Sequence, residues 1–215
     1  MTKSNLATIR SDYQKKSLSK REVSANPMDQ FEHWFEEATS AEINEPTAMN
    51  LSTVDKNGRP TARIVLLKGI NDSAFQFYTN YDSQKAQDLA RNPFAALTFF
   101  WPELERQIRI EGKVEKLSAL TSENYFSSRP RESQIGAWAS PQSQVIENRY
   151  MLEENVKNLK KKYDGKDVPR PQYWGGYQLV PDKLEFWQGR SSRLHDRIVY
   201  RLGPDNHWMI ERLAP

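Results

Sequence analysis

Between Arg106 and Leu117 the side chains alternate in character over twelve residues. Ile108, Ile110, Gly112 and Val114 fall on one face of an extended chain, and Gln107, Arg109, Glu111 and Lys113 on the other. A period of two over that length fits a long strand half-buried in a sheet, not a helix. Shorter segments repeat the pattern. Ala48–Val54, Ala62–Lys68, Ala74–Thr79 and Phe94–Trp101 precede it, and Tyr173–Val180, Lys183–Trp187, Leu194–Tyr200 and Trp208–Arg212 close the chain. Asp55-Lys56-Asn57-Gly58 separates the first two, and its Asn-Gly predicts a hairpin turn with positive φ at both central positions. Strands in this number, joined mostly by hairpins and short helices, predict a mainly β (α+β) fold, an antiparallel barrel with peripheral helices. The βαβ alternation of a doubly wound fold is absent. So are a G-x-G-x-x-G after a strand and a P-loop, so a nucleotide bound here is held by side chains.

Helices fill the remainder. Asn26-Pro27 opens one, with Asn as cap and Pro in the first turn; Met28, Phe31, Trp34, Phe35 and Ala38 share its inner face. Ser83 caps a short helix carrying Ala86, Leu89 and Ala90. Ser118 caps another that runs to about Ser127, Arg129-Pro130-Arg131 breaks the chain, and a helical segment follows to Trp138. Val145–Tyr163 reads as an amphipathic helix with Val145, Leu152, Val156, Leu159 and Tyr163 inward and a basic C-terminus at Lys160–Lys162. The helical section thus spans 118–163. Residues 1–25 are polar and read as a short helix followed by an extended arm, and 26–215 as one domain, long enough to bury a substantial core.

Composition narrows the function. The chain has no cysteine, which excludes disulfides and thiolate chemistry and fits a reducing compartment. No stretch has the apolar length of a membrane span, and Met1–Tyr13 lacks the apolar core of a secretory signal, so a cytoplasmic location is expected. The net charge of +3 suits an anionic small molecule. Nucleic acid is disfavoured, because no clustered basic and aromatic array accompanies that charge. The three histidines, His33, His195 and His207, are far apart and have no metal-ligand spacing, so no metal site is expected.

The residues suited to chemistry cluster in few places. Leu184–Arg197 packs Trp187, Arg190, Arg193, Arg197, Asp196 and His195 around a polar turn, Gln188–Ser192, as a site holding an anion beside a flat aromatic group would require. Tyr125, Arg129 and Ser133 set a phenol, a guanidinium and a hydroxyl around one turn, a candidate phosphate cradle. Ser83 and Lys85 stand at a helix N-terminus, which favours anions. Arg63 and Lys68 are five apart, so on an ideal strand they face opposite sides.

The run Leu184-Glu185-Phe186-Trp187-Gln188, with Arg193-Leu194-His195-Asp196-Arg197 after it, resembles the signature of the pyridoxine (pyridoxamine) 5′-phosphate oxidase family. The resemblance extends through Arg63–Lys68, Tyr78-Thr79-Asn80, Leu104-Glu105-Arg106-Gln107, Tyr125–Pro130, Ser133–Trp138, Tyr173–Gly176 and Arg212–Pro215, covering residues 5–215. It implies an FMN-dependent homodimer with a split β-barrel fold. Such an enzyme oxidises pyridoxamine 5′-phosphate and pyridoxine 5′-phosphate to pyridoxal 5′-phosphate, with dioxygen reoxidising the flavin to yield hydrogen peroxide.

By the same resemblance, FMN is held by Arg63, Ile64, Val65, Leu66, Leu67, Lys68, Tyr78, Thr79, Gln84, Lys85, Gln107, Gln142, Ser143, Trp187 and Arg197. Substrate is held by Lys68, Tyr125, Arg129, Ser133, Arg193 and His195. Arg10 and Tyr13 belong to a segment, within the 1–25 arm, that folds over substrate. Arg193 and His195 are implied at the reacting end; His195 either assists proton removal or orients substrate. Asp196 either sets the histidine's hydrogen bonding or pairs with a nearby Arg. Gln84 departs from the pattern, since the family commonly carries a basic residue beside Lys85. Two rival readings on the same fold are a flavin reductase and a flavin- or haem-binding protein without turnover.

Overall fold

The computed structural model describes residues 12–215. Its elements are α1 (Pro27–Ser40), β1 (Ala48–Val54), β2 (Pro60–Leu66), β3 (Gly69–Asn71), β4 (Ala74–Asn80), α2 (Gln84–Arg91), β5 (Phe94–Trp101), β6 (Arg106–Lys116), α3 (Ala119–Ser128), α4 (Arg131–Ala139), α5 (Arg149–Lys162), β7 (Trp174–Gln188), β8 (Asp196–Leu202) and β9 (Trp208–Leu213). The strands form one antiparallel sheet in the order β2-β1-β5-β6-β7-β4-β3, with β8 paired to β7 and β9 to β8. The expected antiparallel, β-rich architecture therefore holds. The chain gathers into two compact units. The first holds the N-terminal part to Ala48, Leu97–Ile110 and Asp182–Pro215; the second holds Met49–Ala96 and Glu111–Pro181.

In the first unit α1 forms as its sequence requires. The Asn26 side chain accepts a hydrogen bond from the Met28 N–H, and Phe31, Trp34 and Ala38 are buried one turn apart. Phe31 meets Phe99 edge-on at 5.3 Å, Trp34 meets Phe186 at 5.2 Å, and Phe186 meets Tyr200 at 5.6 Å. Buried Arg106 lies 4.2 Å over the Trp34 ring, pairs with Glu37, and donates to the Gln188 side chain at 3.0 Å.

In the second unit β4 pairs with β7, opposing Tyr78 to Gly176 and Thr79 to Gly175. A Cβ on Gly176 would stand 2.7 Å from Tyr78 Cε1, so glycine there lets the Tyr78 ring lie flat across the strand. That ring stacks on Tyr125 at 3.8 Å and on Trp174 at 5.7 Å. Phe126, Ile135, Tyr163, Val168 and Trp174 form an apolar cluster in this unit, with Val156 and Leu159 of α5 against it.

Several elements differ from expectation. Asn57 does not have positive φ; only Gly58 does, at +77°. Gly58 N–H donates to Asp55 O and Asp55 N–H to Arg59 O, a turn closed by a left-handed glycine rather than a two-residue primed turn. The primed turn lies between β3 and β4, at Asp72 and Ser73 with φ of 49° and 61°; the sequence reading missed β3. α5 begins at Arg149, not Val145. The Asn148 side chain caps it through the Met151 N–H, leaving Val145 outside and fully exposed. Tyr173–Val180 and Lys183–Trp187 merge into the single strand β7, which runs through Pro181. Gly112 allows this, because a Cβ there would collide with the Val180 carbonyl oxygen. Exposed Leu194 is not in a strand; β8 starts at Asp196, and a short 3-10 turn at Ser191–Arg193 lengthens the polar connection. Residues 12–25 contain no helix. The part of the expected N-terminal helix at 1–11, with Arg10, lies outside the described residues.

Candidate functional site

The second unit holds a cavity of about 500 Å³, within the usual size of small-molecule sites (roughly 300–1,000 Å³). β2 contributes Arg63, Ile64, Val65 and Leu66, and the turn after it contributes Lys68. β4 supplies Tyr78 and Thr79, and the first turn of α2 supplies Gln84 and Lys85. Tyr125 and Arg129 come from the end of α3, and Gln142 and Ser143 from the loop after α4. Thirteen positions singled out from sequence thus line one cavity. Arg63 and Lys68 do share it, contrary to the ideal-strand expectation. β2 ends at Leu66, and the chain turns so that Lys68 N–H bonds Gln76 O at the edge of β4.

Two cationic centres stand in the cavity. At the first, the Lys85 ammonium is held at 3.1 Å from Thr79 Oγ1, 3.2 Å from Ser83 Oγ and 3.1 Å from Gln142 Oε1. Burial and then the Arg63 charge push its pKa down to about 8. Ser83 holds the cap position but makes no side-chain capping bond; its hydroxyl donates to Asn80 O. The Arg63 guanidinium donates to Thr53 Oγ1 and Thr61 Oγ1, both at 2.7 Å, and lies 3.8 Å from Asp88. Burial lowers its pKa against the pull of Asp88. Asp88 is fully buried. Although burial works the other way, hydrogen bonds from Gln84, Thr53 and Thr61 and the Arg63 charge keep its carboxyl below the usual carboxylate range. Gln84 Nε2 donates to Asp88 at 2.8 Å, so this side chain serves as a neutral brace.

At the second centre Arg129 lies 4.5 Å over the Trp174 ring, and its Nη1 is buried with no hydrogen-bond partner. A buried guanidinium N–H without an acceptor is costly, and an anion in the cavity would satisfy it. Burial raises the pKa of Tyr78 and of Tyr125 beside it, so both phenols keep their protons at neutral pH and can donate. Half-buried Ser133 in α4 and buried Leu67 do not line this wall. Asp88, Thr53, Thr61 and Trp174 were not singled out as site residues. Thr53 and Thr61 become legible once the β1–β2 register sets them against each other, their hydroxyls 2.9 Å apart.

The remaining described residues lie in the first unit. Trp187 and His195 are 4.7 Å apart, and Tyr13 meets them edge-on at 5.8 and 5.9 Å. His195 Nδ1 accepts from the Arg190 N–H at 3.1 Å, which leaves the proton of a neutral ring on Nε2. Asp196 pairs with Arg212 at 2.6 Å and Arg190 at 3.3 Å, the second of its two expected roles. Arg197 Nε donates at 2.8 Å to buried Glu185, which raises the arginine's pKa. Exposed Arg193 has φ of +61°, and Gln107 lies on the half-buried face of β6.

FMN is not part of the structure, but the cavity fits an anionic cofactor: paired cations, neutral phenols and one unmatched buried donor. Residues 35–163 match the family described as pyridoxamine 5′-phosphate oxidase, and residues 174–215 the pyridoxine 5′-phosphate oxidase C-terminal dimerisation region. A pyridoxine/pyridoxamine 5′-phosphate oxidase of Acaryochloris marina is 54% identical over 214 residues, covering 100% of this chain and 97% of the relative. One from Neisseria meningitidis is also 54% identical, covering 98% of this chain and 100% of its own. The crystal structure of PhzG from Burkholderia lata superposes with a TM-score of 0.87 at 28% identity, over 93% of this chain and 98% of that one. These likenesses set the sheet in the split-barrel class expected from sequence. With the two matched regions spanning most of the chain and relatives aligned from end to end, the chain belongs to the pyridoxine/pyridoxamine 5′-phosphate oxidase family.

Proposed function

We propose that this chain oxidises pyridoxamine 5′-phosphate and pyridoxine 5′-phosphate to pyridoxal 5′-phosphate with FMN as cofactor and dioxygen as final acceptor. The observation that carries the reading is the cavity with two cationic centres, one of them ending in an unmatched buried N–H. It suits two phosphate-bearing molecules side by side. When bound, FMN supplies the hydride acceptor, and its reoxidation by dioxygen yields hydrogen peroxide.

The chain supplies binding and orientation. Arg63 and Lys85 hold the cofactor phosphate, each pre-aimed by hydroxyls that fix its donors. Arg129, Lys68 and the Tyr125 phenol hold the substrate phosphate and so fix where the ring lies. Such positioning lowers a barrier by several kcal/mol, about what is seen for well-oriented reactants. Arg193 orients the reacting end. His195 orients rather than removes a proton, because Nδ1 is already taken by the Arg190 amide and Nε2 carries the hydrogen. The match at 174–215 supports a homodimer, as do exposed Ile64, Phe94 and Met209. A cytoplasmic location agrees with a cysteine-free chain.

Aerobic incubation of the FMN-loaded protein with pyridoxine 5′-phosphate tests the reading. Pyridoxal 5′-phosphate and hydrogen peroxide are expected in equal amounts. Neither product appearing would reject it.

A further inference from the structure

Glu105 has no part in the phosphate-holding cavity, yet its surroundings are unusual. It is buried to 8% exposure and sits in the left-handed region, with φ of 54°. Its carboxylate Oε2 accepts the backbone N–H groups of both Gln14 and Lys15, each at 3.0 Å. Its own carbonyl oxygen accepts from Gly189 N–H at 2.7 Å and from Gln188 Nε2 at 3.2 Å. One residue therefore ties the N-terminal arm to the end of β7. The arm residue just before the clamped pair is Tyr13, and the strand residue just before Gln188 is Trp187. A Cβ on Gly189 would stand 2.7 Å from Tyr13 Cγ, so the phenol ring rests directly on the glycine backbone.

We propose that Glu105 is a positioning residue that latches the arm and so seats Tyr13 against Trp187 and His195. The inference rests on the functional reading above for what Tyr13 and His195 meet. Its basis in charge is simple. Two amides donating to one carboxylate are charge-assisted bonds, stronger than amide-to-carbonyl bonds. No helix or strand holds residues 12–18, so side chains must anchor them. A second anchor lies three residues on, where Leu18 N–H donates to Asp196 at 3.0 Å and Leu18 O accepts from Arg212 at 2.7 Å. That anchor fixes the arm's root, and Glu105 fixes the part that carries Tyr13. Without the clamp the seated arm is populated only part of the time, and apparent substrate affinity falls by that fraction.

Glu105→Ala in the FMN-loaded protein tests this. KM for pyridoxine 5′-phosphate is expected to rise about ten-fold with a smaller change in kcat, the signature of a lost seated population. Hydrogen exchange at the Gln14 and Lys15 amides should accelerate, FMN retention should stay unchanged, and Glu105→Gln, which keeps an acceptor, should recover part of the KM. If Glu105→Ala fails to fold, Gln14→Pro removes one clamped N–H from the arm side and should raise KM in the same direction. Unchanged KM and unchanged amide exchange in a folded variant, while the parent chain turns over, would overturn the latch. Failure of the parent chain to oxidise the substrate would instead reject the functional reading, and the amide exchange would still report on the latch.

Discussion

Lys85 carries opposite pH signatures with and without its anion. Its pKa in the folded chain is about 8 against 10.5 for the free side chain, so between those values the unfolded chain binds the extra proton and the folded one does not. The cofactor-free protein should therefore gain stability from this residue as pH rises from about 8 to 10.5, whereas FMN retention should weaken over the same rise because the ammonium charge is lost. Thermal unfolding and FMN titration across that range check both signs. Lys85→Arg should flatten the second curve, since arginine stays charged. Arg63→Ala removes the neighbouring cation and should weaken FMN binding on the order of 10- to 100-fold, as for a lost charge-assisted bond; a fluorescence titration of FMN measures it. Arg193→Ala should keep FMN and lose on the order of 100-fold in kcat/KM. At this scale side chains in a distinctive local setting, such as Arg129 before a proline or Trp187 before a polar turn, stand out in the sequence. The sequence reading was weak where a common residue gains a role from its partner. Asp88 and Glu105 are ordinary carboxylates in sequence; only the folded register puts hydroxyls around one and the arm's amides around the other.

Caps and glycines decide where the elements start and stop. α5 shows the limit of periodicity: apolar spacing carried the pattern back to Val145, but the helix starts where Asn148 caps it. Asn148→Ala should lower stability by about 1 kcal/mol, as for other lost caps, and chemical denaturation would read it. β7 shows the opposite limit. Pro181 reads as a strand break, yet the strand passes through it. Its accommodation depends on a distant residue, Gly112, whose missing side chain makes room for the Val180 carbonyl. Gly112→Ala should cost about 1–3 kcal/mol or more by overpacking, far beyond an exposed alanine substitution. Local pattern was legible at β1, β5 and α1, where caps and alternation agree. It failed where a boundary depends on a contact from another strand.

For the whole molecule, the antiparallel sheet followed from the count of alternating segments, but its order did not. β4 keeps its sequence neighbour β3 on one side, but β7 on its other side is a long-range choice, and it is this pairing that sets Tyr78 on Gly176 and builds the cavity wall. The cavity joins residues spread from Arg63 to Ser143, and no local motif announces that they meet. The chemistry proposed for it reduces to one transfer, from the substrate to the flavin. Anaerobic addition of pyridoxine 5′-phosphate to the yellow, FMN-loaded protein should bleach the oxidised-flavin spectrum. A protein that took up no FMN, or that bleached only with a nicotinamide nucleotide, would contradict the assignment.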